Sequence, residues 1–145
     1  MLRDLLGEKS FQKGIRAYYA KYFNSNTTTD EFRLEMEKAS GKDLKLFFKQ
    51  WLYQPINPTI NAVWKYDAAA KKLNLQLTQS QSGDFLFNIP VEVGYYKTGS
   101  TTPTILKMNL SHKQEVFSFL VASAPEKVEL DPRNVLLNNG NLMKE

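Results

Sequence analysis

The 145-residue sequence predicts an α+β fold, a short helical segment followed by an antiparallel β-sandwich. Two observations carry that reading. The apolar residues recur every three or four positions as far as Pro55 and every second position after Pro58. Clusters of turn-forming residues then cut the second part into short alternating runs. Hydrophobic residues at 42% and charged residues at 23% fit a globular chain rather than a disordered one.

The helical elements follow from their spacing. From Glu8 onward, Phe11, Ile15, Tyr18, Tyr19, Tyr22 and Phe23 fall on one stripe of a helix. Leu2, Leu5 and Leu6 have the spacing of the last turns of an earlier helix. Asn24-Ser25-Asn26-Thr27 breaks the stripe. Thr28 followed by Glu31 is a capping-box pair, in which the hydroxyl takes a free amide and the carboxylate reaches back. The helix so begun turns Phe32, Met36 and Ala39 inward. It stops at Ser40-Gly41, because glycine tolerates the left-handed conformation beyond a helix end. Asp43 is placed to cap a third helix with Leu44, Phe47, Phe48, Trp51 and Leu52 on one face, and Pro55 and Pro58 end it. Trp51 is expected to be a buried anchor.

Strands are predicted near 60–66, 72–79, 85–96, 103–110, 114–120 and 126–130. Leu73, Leu75 and Leu77 alternate with polar residues, as do Phe85, Phe87 and Ile89. Short antiparallel strands at this spacing read as an immunoglobulin-like sandwich. The tail 138–145 is expected to be frayed. The predicted division is therefore a helical part over 1–57 with three helices and a β-sandwich over 58–145. The helical part carries more aromatic surface than three short helices need for one another.

Several chemistries are excluded. With no cysteine there is no disulfide, thiolate metal site or cysteine nucleophile. A single histidine, His112, falls short of the three protein ligands a catalytic zinc takes. The charges, 10 basic and 7 acidic in 1–57 and 9 and 8 in 58–145, make no basic stripe, which argues against nucleic acid. No apolar run reaches the length of a membrane span. Met1–Lys9 carries charges within its apolar stretch and is no secretory signal; the compartment stays unassigned. No Gly-rich phosphate loop, G-x-S-x-G or H-E-x-x-H occurs.

Individual side chains read as structural. Glu35 and Glu37, two apart on a helix, point to different faces and form no carboxylate pair. Asp30 and Glu31 suit the first turn of a helix. His112 lies in a turn beside Ser111 with no acidic neighbour adjacent in sequence. Tyr95 and Tyr96 point to opposite faces of a strand, one toward the core and one available to bind. Trp64 and Tyr66 share a face and read as core.

A resemblance runs through most of these residues. Leu6-Gly7, Phe11, Gly14-Ile15, Tyr18, Thr28-Thr29-Asp30-Glu31-Phe32, Ser40-Gly41-Lys42-Asp43-Leu44, Phe47-Phe48, Gln50-Trp51, Gln54 and Pro58 resemble the end of the catalytic domain of M1-family zinc metallopeptidases, the aminopeptidase N-like gluzincins. Trp64, Tyr66-Asp67, Lys71-Lys72, Leu73, Leu75, Gln79 and Gln81 resemble the opening of the β-sandwich that follows in that family. One departure is Ile56, where the family often has glycine before the proline turn. A left-handed backbone there is costly for a β-branched residue.

The family's H-E-x-x-H with its downstream glutamate, its G-x-M-E-N motif and its catalytic tyrosine lie upstream of the matched segment. The resemblance thus implies a fragment with no catalytic, cofactor-binding or metal-binding residues, zinc being held by the parent. It implies peptidase activity for the parent, hydrolysing N-terminal peptide bonds, and for this chain a wall and spacer to the catalytic domain. Expected partners are the rest of that domain or a second copy meeting through the helical face. Two alternatives stay open: a free-standing β-sandwich binding module, and a truncated scaffold paralogue.

Overall fold

Gly7 decides how the helical residues are divided. In the computed structural model, which describes all 145 residues, it adopts φ 76° and ψ 154°, a conformation open to glycine. It separates α1 (Leu2–Leu6) from α2 (Glu8–Tyr22); α3 (Thr29–Ser40) and α4 (Lys45–Leu52) follow. There are four helices, because the leucines before Gly7 form a short helix of their own. These helices lie in a compact unit, Met1–Pro55; a second unit spans Ile56–Glu145. No helix is long and apolar enough to cross a membrane.

The capping box forms as spaced. The Glu31 amide donates to Thr28 Oγ1 at 3.3 Å, and the Thr28 amide donates to Glu31 Oε2 at 2.7 Å. Gly41 ends α3 in the left-handed region, its amide donating to Glu37 O at 2.7 Å. Asp43 falls one position short of the cap of α4, which is Leu44. Its Oδ1 nevertheless accepts the Lys45 amide at 2.8 Å, which satisfies one first-turn donor.

Leu6, Met36, Leu44 and Phe48 form the helical core, and Leu2, Leu5, Phe11, Ile15, Phe32 and Phe47 pack on it. Gly14 lets α2 approach α3, since a Cβ there would lie 2.4 Å from Met36 Sδ. Rings continue the contact, Tyr18 edge-on to Phe32 at 5.0 Å and Phe32 to Phe48 at 6.1 Å. The expected anchor moves. Trp51 is only half-buried, its ring 6.3 Å from Phe47, and Leu52 is exposed, while Gln50 is buried. Of the predicted face of Leu44, Phe47, Phe48, Trp51 and Leu52, only Leu44 and Phe48 are buried.

The second unit holds β1 (Ile60–Asp67), β2 (Lys72–Gln79), β3 (Ile89–Tyr96), β4 (Thr104–Leu110), β5 (Gln114–Leu120), β6 (Lys127–Leu130) and β7 (Asn141–Lys144). One sheet has the order β5-β2-β1-β7, the other β4-β3-β6. Period-two alternation turns one face of each sheet out of solvent: Ile60, Ala62, Trp64, Leu73, Leu75 and Leu77 on the first, Ile89, Val91, Val93, Met108 and Leu110 on the second. Between β2 and β3, the Gln79 amide side chain clamps Phe87. Its Nε2 donates to Phe87 O at 2.8 Å and its Oε1 accepts the Phe87 amide at 2.9 Å. Gln81 Nε2 donates to Phe85 O at 2.8 Å, so side chains and not a ladder take these backbone groups, and β3 starts at Ile89 and not at 85. Ile56 stays out of the left-handed region, so the linker turns without the family's glycine conformation.

The tail is not frayed. Residues 141–144 form a seventh strand, parallel to β1, with Asn61 opposite Asn141 and Trp64 opposite Lys144. All other pairs are antiparallel. Gly140 makes this approach possible, since a Cβ on it would lie 1.7 Å from Ile60 O. Gly140→Ala is expected to cost about 1–3 kcal/mol through overpacking against rigid backbone. Amide exchange should rise at Asn141–Lys144 while the β2–β5 ladder stays protected.

Candidate functional site

His112 sits in the turn between β4 and β5, and it has an acidic partner after all. Its Nδ1 lies 2.6 Å from Glu115 Oε1 and 3.1 Å from Ser111 Oγ. The Ser111 hydroxyl donates to Glu115 Oε1 at 3.2 Å, and the Ser111 amide donates to Glu115 Oε2 at 3.0 Å. These are the residue types of a nucleophilic triad in another geometry. A triad puts the carboxylate and the nucleophile on opposite ring nitrogens; here both meet Nδ1, and the serine proton goes to the carboxylate. The cluster closes a turn. The His112 bond, opposed by burial and aided by Ser111, holds the Glu115 carboxyl below its ordinary range. The i,i+3 spacing across a tight turn was the available sequence signal.

The other charged clusters are ties. Glu35 Oε1 accepts Lys21 Nζ at 2.8 Å and Lys38 Nζ at 2.9 Å, pinning α2 to α3. Those two lysines, Lys21 first, lower its pKa against the opposing effect of burial. Glu37 points elsewhere, to Arg33 Nη1 at 2.8 Å and the Leu44 amide at 2.8 Å. Asp30 accepts Arg33 Nε at 3.2 Å. On the β4-β3-β6 sheet, Arg133 grips Glu92 through Nε at 2.6 Å and Nη2 at 2.7 Å, and Lys107 adds a contact at 2.9 Å. Tyr95 is buried, and Tyr96 donates its hydroxyl to Glu129 at 2.5 Å with Lys127 over its ring. Trp64 is buried, and the half-buried Tyr66 donates to Val121 O at 3.1 Å.

Glu92 gives a pH dependence with a definite sign. Arg133 first, with Lys107 adding and burial opposing, holds its carboxyl below the usual range. A lowered folded-state pKa stabilises the fold above the unfolded value, and that contribution is lost as pH falls through the folded one. Glu92→Gln is expected to flatten the loss of urea midpoint below about pH 4. A wild-type slope retained in the variant would assign the acid sensitivity to other carboxylates.

One recess is aromatic. Tyr18, Tyr19, Tyr22 and Phe23 line a shallow groove of about 330 Å³ at the end of α2, with Tyr19 and Phe23 exposed.

The fold and these residues have counterparts in known proteins. Residues 1–51 match the Peptidase family M1 domain. Aminopeptidase N of Haemophilus influenzae is 29% identical over 133 residues, 82% of this chain and 15% of that protein. Aminopeptidase N of Lactococcus lactis subsp. lactis (strain IL1403) is 27% identical over 98% of this chain and 16% of its own length. The crystal structure of Legionella pneumophila aminopeptidase A in complex with aspartic acid superposes with a TM-score of 0.69 at 17% identity, over 88% of this chain and 15% of that one. That likeness shows the fold. Over residues 1–51 the chain is similar to the M1 peptidase family, as its motifs imply, and it spans about 15% of the length of these relatives.

M1 aminopeptidases are zinc enzymes in general. The side chains here do not fit that ion. No group of three or more His, Cys, Asp or Glu side chains is placed to hold a metal, and the one imidazole is bonded through Nδ1 to Glu115.

Proposed function

We propose that this chain is a non-catalytic part of an M1-like zinc aminopeptidase, in which residues 1–57 belong to the wall of the catalytic domain and residues 58–145 form a spacer. The whole protein would hydrolyse N-terminal peptide bonds with its zinc bound outside this chain. The observation that carries the reading is the similarity to aminopeptidases N running through both helical and sheet residues, on a chain whose own donors make no zinc site. The exposed rings of Tyr19 and Phe23 support a helical surface completed by further protein of the parent. A free-standing module displaying Tyr95 or Tyr96 is disfavoured, because the first is buried and the second is tied to Glu129 and Lys127.

The purified chain, folded and supplied with zinc, is expected to give no turnover of aminoacyl-anilides and to lose the ion on dialysis. Stoichiometric zinc retained after dialysis, or chelator-sensitive turnover, would overturn the reading.

A further inference from the structure

We infer that the free edge of β5 is an interaction surface for a second copy of this chain, joined antiparallel about a two-fold axis at Phe117. The backbone defines it. The Gln79 amide donates to Lys113 O at 2.8 Å and the Val121 amide to Lys71 O at 2.9 Å, at the two ends of the β2–β5 ladder. Antiparallel pairs alternate between bonded and non-bonded. Lys113, Glu115, Phe117, Phe119 and Val121 therefore turn their amides and carbonyls to β2. Gln114, Val116, Ser118 and Leu120 turn theirs to the open edge, since β5 ends its sheet.

This edge lacks the devices that protect the others. β4 has Pro103 before it and Lys107 within it. β6 has Lys127, with Pro125 before it and Pro132 after it, and β7 is four residues long with Lys144. Prolines, edge lysines and short length all discourage pairing with another chain. β5 is seven residues, QEVFSFL, with neither proline nor lysine. Its single charge, Glu115, is already bonded to Ser111 and His112. Val116 and Leu120 are 64% and 79% exposed, and no backbone bond outside the sheet uses residues 114, 116, 118 or 120.

The occupant follows from self-complementarity. With Phe117 on the axis, Val116 stands opposite Ser118 of the second copy and Gln114 opposite Leu120. All four are residues whose backbone groups face outward, so the full strand supplies about eight new hydrogen bonds. Glu115 meets Phe119 and not another Glu115, so no like charges are opposed. Phe117 faces its own copy in a non-bonded pair, where side chains are closest. The half-buried Phe117 and Phe119 are then covered.

Sedimentation equilibrium of the full chain over about a hundredfold concentration range tests the pairing through its mass-action dependence. A monomer–dimer equilibrium is expected. Val116→Lys and Ser118→Pro should each raise the dimer dissociation constant at least about tenfold, by an edge charge and by loss of an outward N–H. The Val116 and Ser118 amides should gain exchange protection with concentration while that of Phe117, already bonded to β2, does not. Val116→Lys changes an exposed side chain only and decides the matter should Ser118→Pro fail to fold. A monomer throughout, or a dimer indifferent to Val116→Lys, would overturn the inference. So would a dimer lost in Tyr19→Ser or Phe23→Ser alone, which would place the pairing on the helical face.

Discussion

Phe87→Ala is expected to lower the stability of the sheet unit by about 3–5 kcal/mol, the cost of removing a large aromatic from a site that cannot collapse. Phe87 is fully buried and packs edge-on to Phe85 at 5.0 Å. Its backbone is held on both sides by the Gln79 amide, so the chain there cannot move inward to fill the space. A unit of this size carries about 5–13 kcal/mol in all, so the variant loses a large share of it. In a Trp51→Phe background Trp64 is the one tryptophan, and its fluorescence reports the urea midpoint of this unit. A midpoint equal to that of the wild type would mean that the site relaxes and that the clamp is not rigid.

Met36→Ala should have the larger consequence for the helical unit, although its cost is similar at about 2–5 kcal/mol. Met36 is wholly buried in a core of only four buried side chains. It fills the space that Gly14 leaves between α2 and α3. A domain this short buries too little surface to absorb such a loss. In the same Trp51→Phe background, the helical signal in far-ultraviolet circular dichroism should fall sharply at a temperature where Trp64 still reports a folded sheet unit. Coincident loss of both signals at the wild-type midpoint would show that Met36 is dispensable.

What could be read in the sequence was whatever depends on near neighbours. The Thr28–Glu31 box, the Gly41 stop and the alternation of Leu73, Leu75 and Leu77 are properties of a few adjacent residues, and all appear as read. The misses depend on distant ones. Residues 141–144 have little strand character alone and become a strand because β1 offers an edge and Gly140 lets the backbone approach. Phe87 alternates like a strand residue, yet Gln79 takes its hydrogen bonds. Trp51 was expected to close the apolar face of Leu44, Phe47 and Phe48, yet Leu44 and Phe48 carry the helical core and Trp51 stays half-buried. At the candidate site, the separate roles of Glu35 and Glu37 followed from helical spacing. The Ser111–His112–Glu115 cluster is the exception among the misses: its members lie within five residues, and the i,i+3 spacing across the turn, not adjacency, brings Glu115 to His112.

The pairing of β1 with β7 also sets how the sheet unit bears tension. The two strands are parallel neighbours, bonded from the Asn139 amide to Pro58 O through to the Glu145 amide to Trp64 O. A pull applied at residue 58 and at residue 145 draws them past each other along their length. Every bond of the pair then takes load together, as in a lap joint under shear, whereas an antiparallel hairpin pulled from its open end gives way one bond at a time. The sheet unit would in this way resist extension between those two residues.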